Sequence, residues 1–200
     1  GGPAMSTLVF LLEEESAKNM LVPVVKELVP EDMPVQYITF SGKQDLERQL
    51  VKKIRFWRDP GSRFIILRDK DSGDCGVIKQ RLLALAQESG KGDACLVRIA
   101  CHELESFFLG DLAAVAQGLE LPAVAKKQAK KPYRTPDTIA NAAEELKKLT
   151  FDKYSKLAGS RAISPYLKLD GSNRSHSFGV LLEAIRRQVA LIQQHNQYIH

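Results

Sequence analysis

No apolar run in this sequence approaches the roughly 20 residues that a membrane-spanning helix needs, and no basic n-region precedes an apolar stretch with a small-residue cleavage site. Neither a span nor a secretory leader is expected. Cysteine is scarce: Cys75, Cys95 and Cys101 are an odd set without close pairing, which argues against a disulfide framework and suits a reducing, cytoplasmic setting. No C-x-x-C occurs, and although His102 adjoins Cys101 the spacing does not fit a zinc site. No G-x-x-x-x-G-K-[ST] is present, so the chain carries no nucleotide-binding phosphate loop of that kind. Internal repeats and low-complexity tracts are also missing.

What is present fits a globular chain. Two hundred residues, 44% hydrophobic and 26% charged, suffice for one domain with an appended subdomain. Gly1-Gly2-Pro3-Ala4 reads as a tag remnant, which puts the expected native start at Met5. The net charge of +5 is modest, but its distribution is uneven. Lys126, Lys127, Lys130, Lys131 and Arg134 crowd into one stretch, and Arg55, Arg58, Arg63 and Arg68 scatter through the middle. Such a stretch is ordinarily a solvated loop; clustered cations also gain affinity for a phosphate backbone by releasing counterions.

Hydrophobic periodicity predicts a β-α alternation. Thr7 to Leu12 is a continuous apolar run, the pattern of a strand buried on both faces, and it ends abruptly in Glu13-Glu14-Glu15. Ser16 is the expected cap of a first helix that Pro23 should kink or shorten. Val35 to Phe40 reads as a second strand, and Leu46, Leu50, Ile54 and Trp57 mark a second helix closed by Asp59-Pro60-Gly61. Arg63 to Arg68 is a third strand that delivers Asp69-Lys70-Asp71-Ser72-Gly73-Asp74. Ile78, Leu82, Leu85 and Ala86 line a third helix, and Ala94 to Ala100 is a fourth strand running into His102-Glu103-Leu104-Glu105. Beyond Gly110 helical segments are expected near 111–117 and 136–149, with Thr135-Pro136 as cap and first residue of the latter. A loop at 171–175 then precedes a last amphipathic helix. The alternation predicts a mostly parallel sheet in an α/β core over 5–110, with a mainly helical extension over 111–200 packing on it.

Three of the four strands end in acids, and in a parallel sheet those ends share one edge, where ligands bind. Their mutual repulsion calls for a counter-charge. Carboxylates without softer ligands suit a hard cation, so Glu13, Asp69, Asp71, Glu103 and Glu105 are candidate ligands for magnesium or manganese. Acids after strands also cap helices, and Asp74 and Glu15 are the residues best suited to that plainer role.

The strand ending in Glu13, followed by Asp69-x-Asp71 on a later strand, resembles the Toprim motif of topoisomerases, primases and the overcoming-lysogenization-defect nucleases. Taken with Ser41-Gly42-Lys43, Glu103-Leu104-Glu105-Ser106-Phe107-Phe108 and Ser175-His176-Ser177-Phe178, the chain is more closely similar to a Toprim-related bacterial family, the domain of unknown function 4276. The likeness covers most of residues 5–190. Many Toprim domains place Gly after the first Glu, where this chain has Glu14.

The resemblance implies a Toprim-like, mostly parallel sheet flanked by helices. It also implies metal-assisted phosphodiester cleavage of nucleic acid, with Glu13 as general acid, general base or ligand, Asp69 and Asp71 on the cation, and Glu103 and Glu105 completing a second metal position. Lys43 and the 126–134 stretch are the candidates for phosphate contact. Tyr133, Tyr154 and Tyr166 lack a motif that marks a nucleophile, so strand passage is not expected. His102 and His176 are possible proton carriers, although a lone His is more often structural. Two other classes compete: a phospho-receiver-like regulator, which the paired Asp69 and Asp71 fit poorly, and a non-catalytic or partner-dependent module working with an ATPase. Association with ATPases in phage defence is an implication of the resemblance alone.

Overall fold

Four strands, Leu8–Leu12 (β1), Val35–Thr39 (β2), Arg63–Asp69 (β3) and Cys95–Ala100 (β4), form one sheet in the computed structural model, which describes residues 6–199. The expected tag remnant and the start at Met5 lie outside the described residues. Every pairing is parallel, in the order β2-β1-β3-β4. The chain leaves β1 for one neighbour and then crosses back past it to the other. The topological switch point therefore falls between the carboxyl ends of β1 and β3.

Between the strands run Glu15–Leu28 (α1), Lys43–Arg55 (α2) and Cys75–Glu88 (α3). After β4 come Ser106–Leu109 (α4), Leu112–Gly118 (α5), Ala142–Leu149 (α6), Lys156–Ile163 (α7) and His176–Ile199 (α8). Successive side chains of a strand point to opposite faces, so a strand covered on both faces must be apolar throughout. The run in β1 meets that requirement. Leu8, Phe10 and Leu12 join one core with α1, α8 and the extension, while Val9 and Leu11 join the other with α2 and α3. The result is a parallel sheet flanked by helices, with a helical extension packed on one face.

Local expectations were altered where tertiary contacts outweighed them. Pro23 lies inside α1, which runs on to Leu28; burial of Met20, Leu21 and Val24 around it offsets the lost backbone hydrogen bond. Glu14, not Ser16, occupies the cap position, and Ser16 Oγ donates to Glu14 Oε1 at 2.7 Å. Pro136 opens only a short 3-10 turn, Pro136–Thr138, because the Asp137 carboxylate is drawn to Ser175 Oγ (2.5 Å) and Ser177 N (2.8 Å). Helix α6 begins later, at Ala142. Helix α7 was missed by periodicity; its Gly159 lets the backbone lie against the Tyr154 ring, where a Cβ has no room.

Candidate functional site

At the switch point, Oε2 of Glu13 accepts a hydrogen bond from the Asp69 backbone N–H at 3.0 Å. Parallel register sets this pair: Leu12 lies opposite Leu67, so the residues that follow the two strands emerge side by side. Glu13 is partly buried, and burial pushes its carboxyl above the ordinary range. Asp71 and Glu14 push the same way, while the Asp69 N–H and Arg68 oppose them. Burial also holds the Asp69 carboxyl well above its usual value, and Glu13, Glu105 and Glu14 add repulsion; the Leu104 N–H works against them. Five acids from three sequence regions thus act on one another.

Asp71 sits in the turn after β3, with φ +52, a left-handed conformation that Asp tolerates better than most residues. Its N–H donates to the His102 carbonyl at 2.7 Å, and its carboxylate meets Lys43 Nζ at 3.4 Å. Gly42 makes that pairing possible. Its φ of +104 turns the chain into α2, its N–H donates to the Glu13 carbonyl at 2.9 Å, and Lys43 follows at the edge of the acidic group. Nδ1 of His102 lies 3.3 Å from Lys70 Nζ and 3.2 Å from the Asp71 carbonyl, which makes it a brace for the turn.

Glu103 and Glu105 part company after β4. Oε1 of Glu103 accepts from Ala143 N at 3.2 Å, capping the start of α6. Glu105 is completely buried. Its Oε2 accepts from the Tyr154 hydroxyl at 2.6 Å, and its Oε1 has no hydrogen-bond partner among the described residues. Burial raises the Glu105 carboxyl, with Glu103 adding to it and Tyr154 and Lys156 opposing. Lys156, at the start of α7, meets Glu14 at 3.4 Å. Burial disfavours its charge, yet Glu105, Glu14 and Asp69 together hold its affinity for the proton above the ordinary lysine value.

Sequence reasoning missed Glu14, Tyr154 and Lys156 as members of this group. Among the described residues no three His, Cys, Asp or Glu side chains form a ready-made metal cage. The residues nevertheless suit a hard cation on chemical grounds: a buried, unpartnered carboxylate oxygen on Glu105 and a repelled carboxylate on Asp69 are acceptors in search of positive charge.

The other singled-out residues have local roles. Asp74 accepts from Val77 N at 3.1 Å and caps α3, and Glu15 is exposed in the first turn of α1. Ser175 Oγ accepts from Phe178 N at 3.3 Å at the start of α8, and Phe178 packs against Phe107 with ring centroids 5.1 Å apart. His176 is exposed. Tyr133 is buried and bonded to Glu145 at 2.6 Å, whereas Tyr166 is exposed. The basic stretch lies on 3-10 turns at Pro122–Ala129 and Lys131–Arg134, pinned by Gln128, whose Nε2 donates to the Leu109 and Tyr133 carbonyls. Lys126, Lys130, Lys131 and Arg134 are exposed there, and Lys127 is half-buried. None of their ammonium or guanidinium groups pairs with a carboxylate among the described residues.

A family model described as Domain of unknown function (DUF4276) matches residues 12–186, a span that runs from the end of β1 into α8. No curated protein and no solved structure matches the chain. No helix among the described residues is long and apolar enough to cross a membrane.

Proposed function

The chain belongs to the DUF4276 family, and we propose that it is a magnesium- or manganese-dependent phosphodiesterase of Toprim type that acts on nucleic acid. The observation that carries this reading is the meeting of Glu13, Asp69 and Glu105 at the switch-point edge, with Glu105 Oε1 buried and unpartnered. Asp69, Asp71 and Glu105 would hold the cation, with Glu13 beside them. Once bound, a divalent ion offsets their repulsion and stabilises charge on a phosphate. Glu103 is the weaker candidate ligand, because one of its oxygens already caps α6.

The chain's own groups divide the remaining work. Glu13 keeps Oε1 free while Oε2 is held by the Asp69 N–H, so it can take the proton of the attacking water as the phosphorus–oxygen ester bond breaks. The leaving oxygen takes its proton from solvent. Lys43 and Lys156 flank the acids and draw a phosphate toward an edge that would otherwise repel it. The exposed cations of the 126–134 stretch contribute more distant backbone contacts. Three free thiols fit a reducing cytoplasm.

Calorimetric titration with manganese and magnesium, on the wild type and on Asp69→Ala/Asp71→Ala, tests this reading alongside cleavage of labelled DNA and RNA. Metal binding that disappears in the variant, with metal-dependent cleavage by the wild type, supports the enzyme. Binding without cleavage points to a module that requires a partner such as an ATPase. No binding by the wild type removes the metal site altogether.

A further inference from the structure

On the α2–α3 side of the sheet, Arg48, Gln49, Lys52, Lys53, Phe56 and Trp57 line an open groove of about 620 Å³ along the second half of α2. It combines positive charge with aromatic surface. Phe56, just past the helix end, is 72% exposed, a large apolar ring with no packing role to explain it. Trp57 beside it is anchored: its indole meets Phe64 edge-on at 6.3 Å, and its carbonyl accepts from Lys91 Nζ at 2.5 Å. Lys52 and Lys53 pair with no carboxylate among the described residues.

Cations in the last turn of a helix complement its dipole, which accounts for Lys52, Lys53 and Arg55 taken alone. It does not account for a free phenyl ring and a fixed indole set among them. That combination is the chemistry of single-strand recognition, in which cations follow the phosphates and aromatic faces stack on unpaired bases. A duplex keeps its base faces stacked inside and cannot use Phe56 in this way. An acidic peptide can satisfy the lysines but has no general use for the rings.

We infer that this groove binds a single-stranded polynucleotide, with Phe56 as a stacking platform and Arg48, Lys52 and Lys53 on the backbone. The inference deepens the nuclease reading and rests on it for the direction of the strand. Lys43, which pairs with Asp71, opens the same helix that carries Lys53, about 15 Å further along at 1.5 Å per residue. A strand lying along α2 therefore has one end at the acidic edge.

The chain has one tryptophan, and it lines the groove, so binding carries its own optical signal. Trp57 emission is followed while an oligothymidylate or oligouridylate is added to the full chain in EDTA, where failure of the metal site has no bearing on the result. Emission is expected to fall on saturation. Lys52→Glu/Lys53→Glu should weaken binding at least tenfold and flatten its dependence on salt, Phe56→Ala should weaken it about tenfold, and Phe56→Tyr should retain it. These side chains are exposed, and unchanged circular dichroism and melting temperature confirm that the variants fold. Unchanged emission, wild-type affinity in the charge-reversal variant, or equal affinity for a duplex overturns the inference.

Discussion

The hydroxyl of Tyr154 donates a 2.6 Å hydrogen bond to Oε2 of Glu105, joining the loop between α6 and α7 to the segment that leaves β4. Both residues are buried, Tyr154 at 1% exposure and Glu105 at 0%. The extension therefore helps to build the acidic edge. Among the described residues it supplies the one hydrogen bond that another residue makes to the Glu105 side chain, and it leaves Oε1 turned to other use.

Removing that donor leaves a buried carboxylate with no side-chain partner, which costs about 1–3 kcal/mol. Tyr154→Phe is expected to lower stability in urea by that amount and to raise the Glu105 carboxyl further. Adding magnesium or manganese should recover part of the loss, since a cation offers Glu105 a substitute. A Tyr154→Phe chain as stable as the wild type contradicts the role given to this bond.

Glu13, Asp69 and Glu105 all have carboxyls raised in the fold, chiefly by burial. Above their unfolded values of about 4, the folded chain binds more protons than the unfolded one, so the contribution of these groups to stability falls as pH rises. The window runs from there up through their raised native values. Metal-free urea midpoints are expected to decline as pH rises above about 4, and Asp69→Asn should flatten the decline. A divalent cation should stabilise the chain more at pH 8 than at pH 5.

The architecture was legible because burial on both faces leaves a plain mark in sequence. The run Leu8 to Leu12 is continuous for that reason, and register then carries Glu13 to Asp69 without any further signal. The divergence of Glu103 and Glu105 was not legible. Their shared spacing says nothing of the loop that sends one to the backbone of α6 and buries the other. Tyr154 and Lys156 carried no motif, and their acidic partners stand 49 and 142 residues away. The Ser-x-Ser-Phe segment was recognisable, yet its contacts tie α8 to Asp137 and Phe107 and show no bond to the acids.

Asp74 provides a contrast within the same acidic turn. Its side chain caps α3 through Val77 N, and Asp74→Ala should cost about 0.5–2 kcal/mol of stability. Divalent affinity should be unchanged, because Asp74 belongs to the helix and not to the switch-point group. A large loss of metal binding in Asp74→Ala, measured by calorimetry, contradicts that division.

Lys156 supplies positive charge to Glu105 and Asp69, and its competition with a cation sets a sign that can be measured. Its side chain is half-exposed, so Lys156→Met should change metal-free stability by no more than about 1 kcal/mol. The effect on binding is larger in consequence: with Glu14, Glu105 and Asp69 no longer offset, a divalent ion meets a more negative site and should bind several-fold more tightly. On the proposed nuclease reading cleavage should fall at the same time, because one of the two lysines assigned to draw in the phosphate is lost. Lys156→Arg keeps the charge and should leave metal affinity near the wild-type value. Weaker divalent binding in Lys156→Met makes the lysine a support for ligand geometry instead of a counter-charge, and calorimetry with magnesium separates the two.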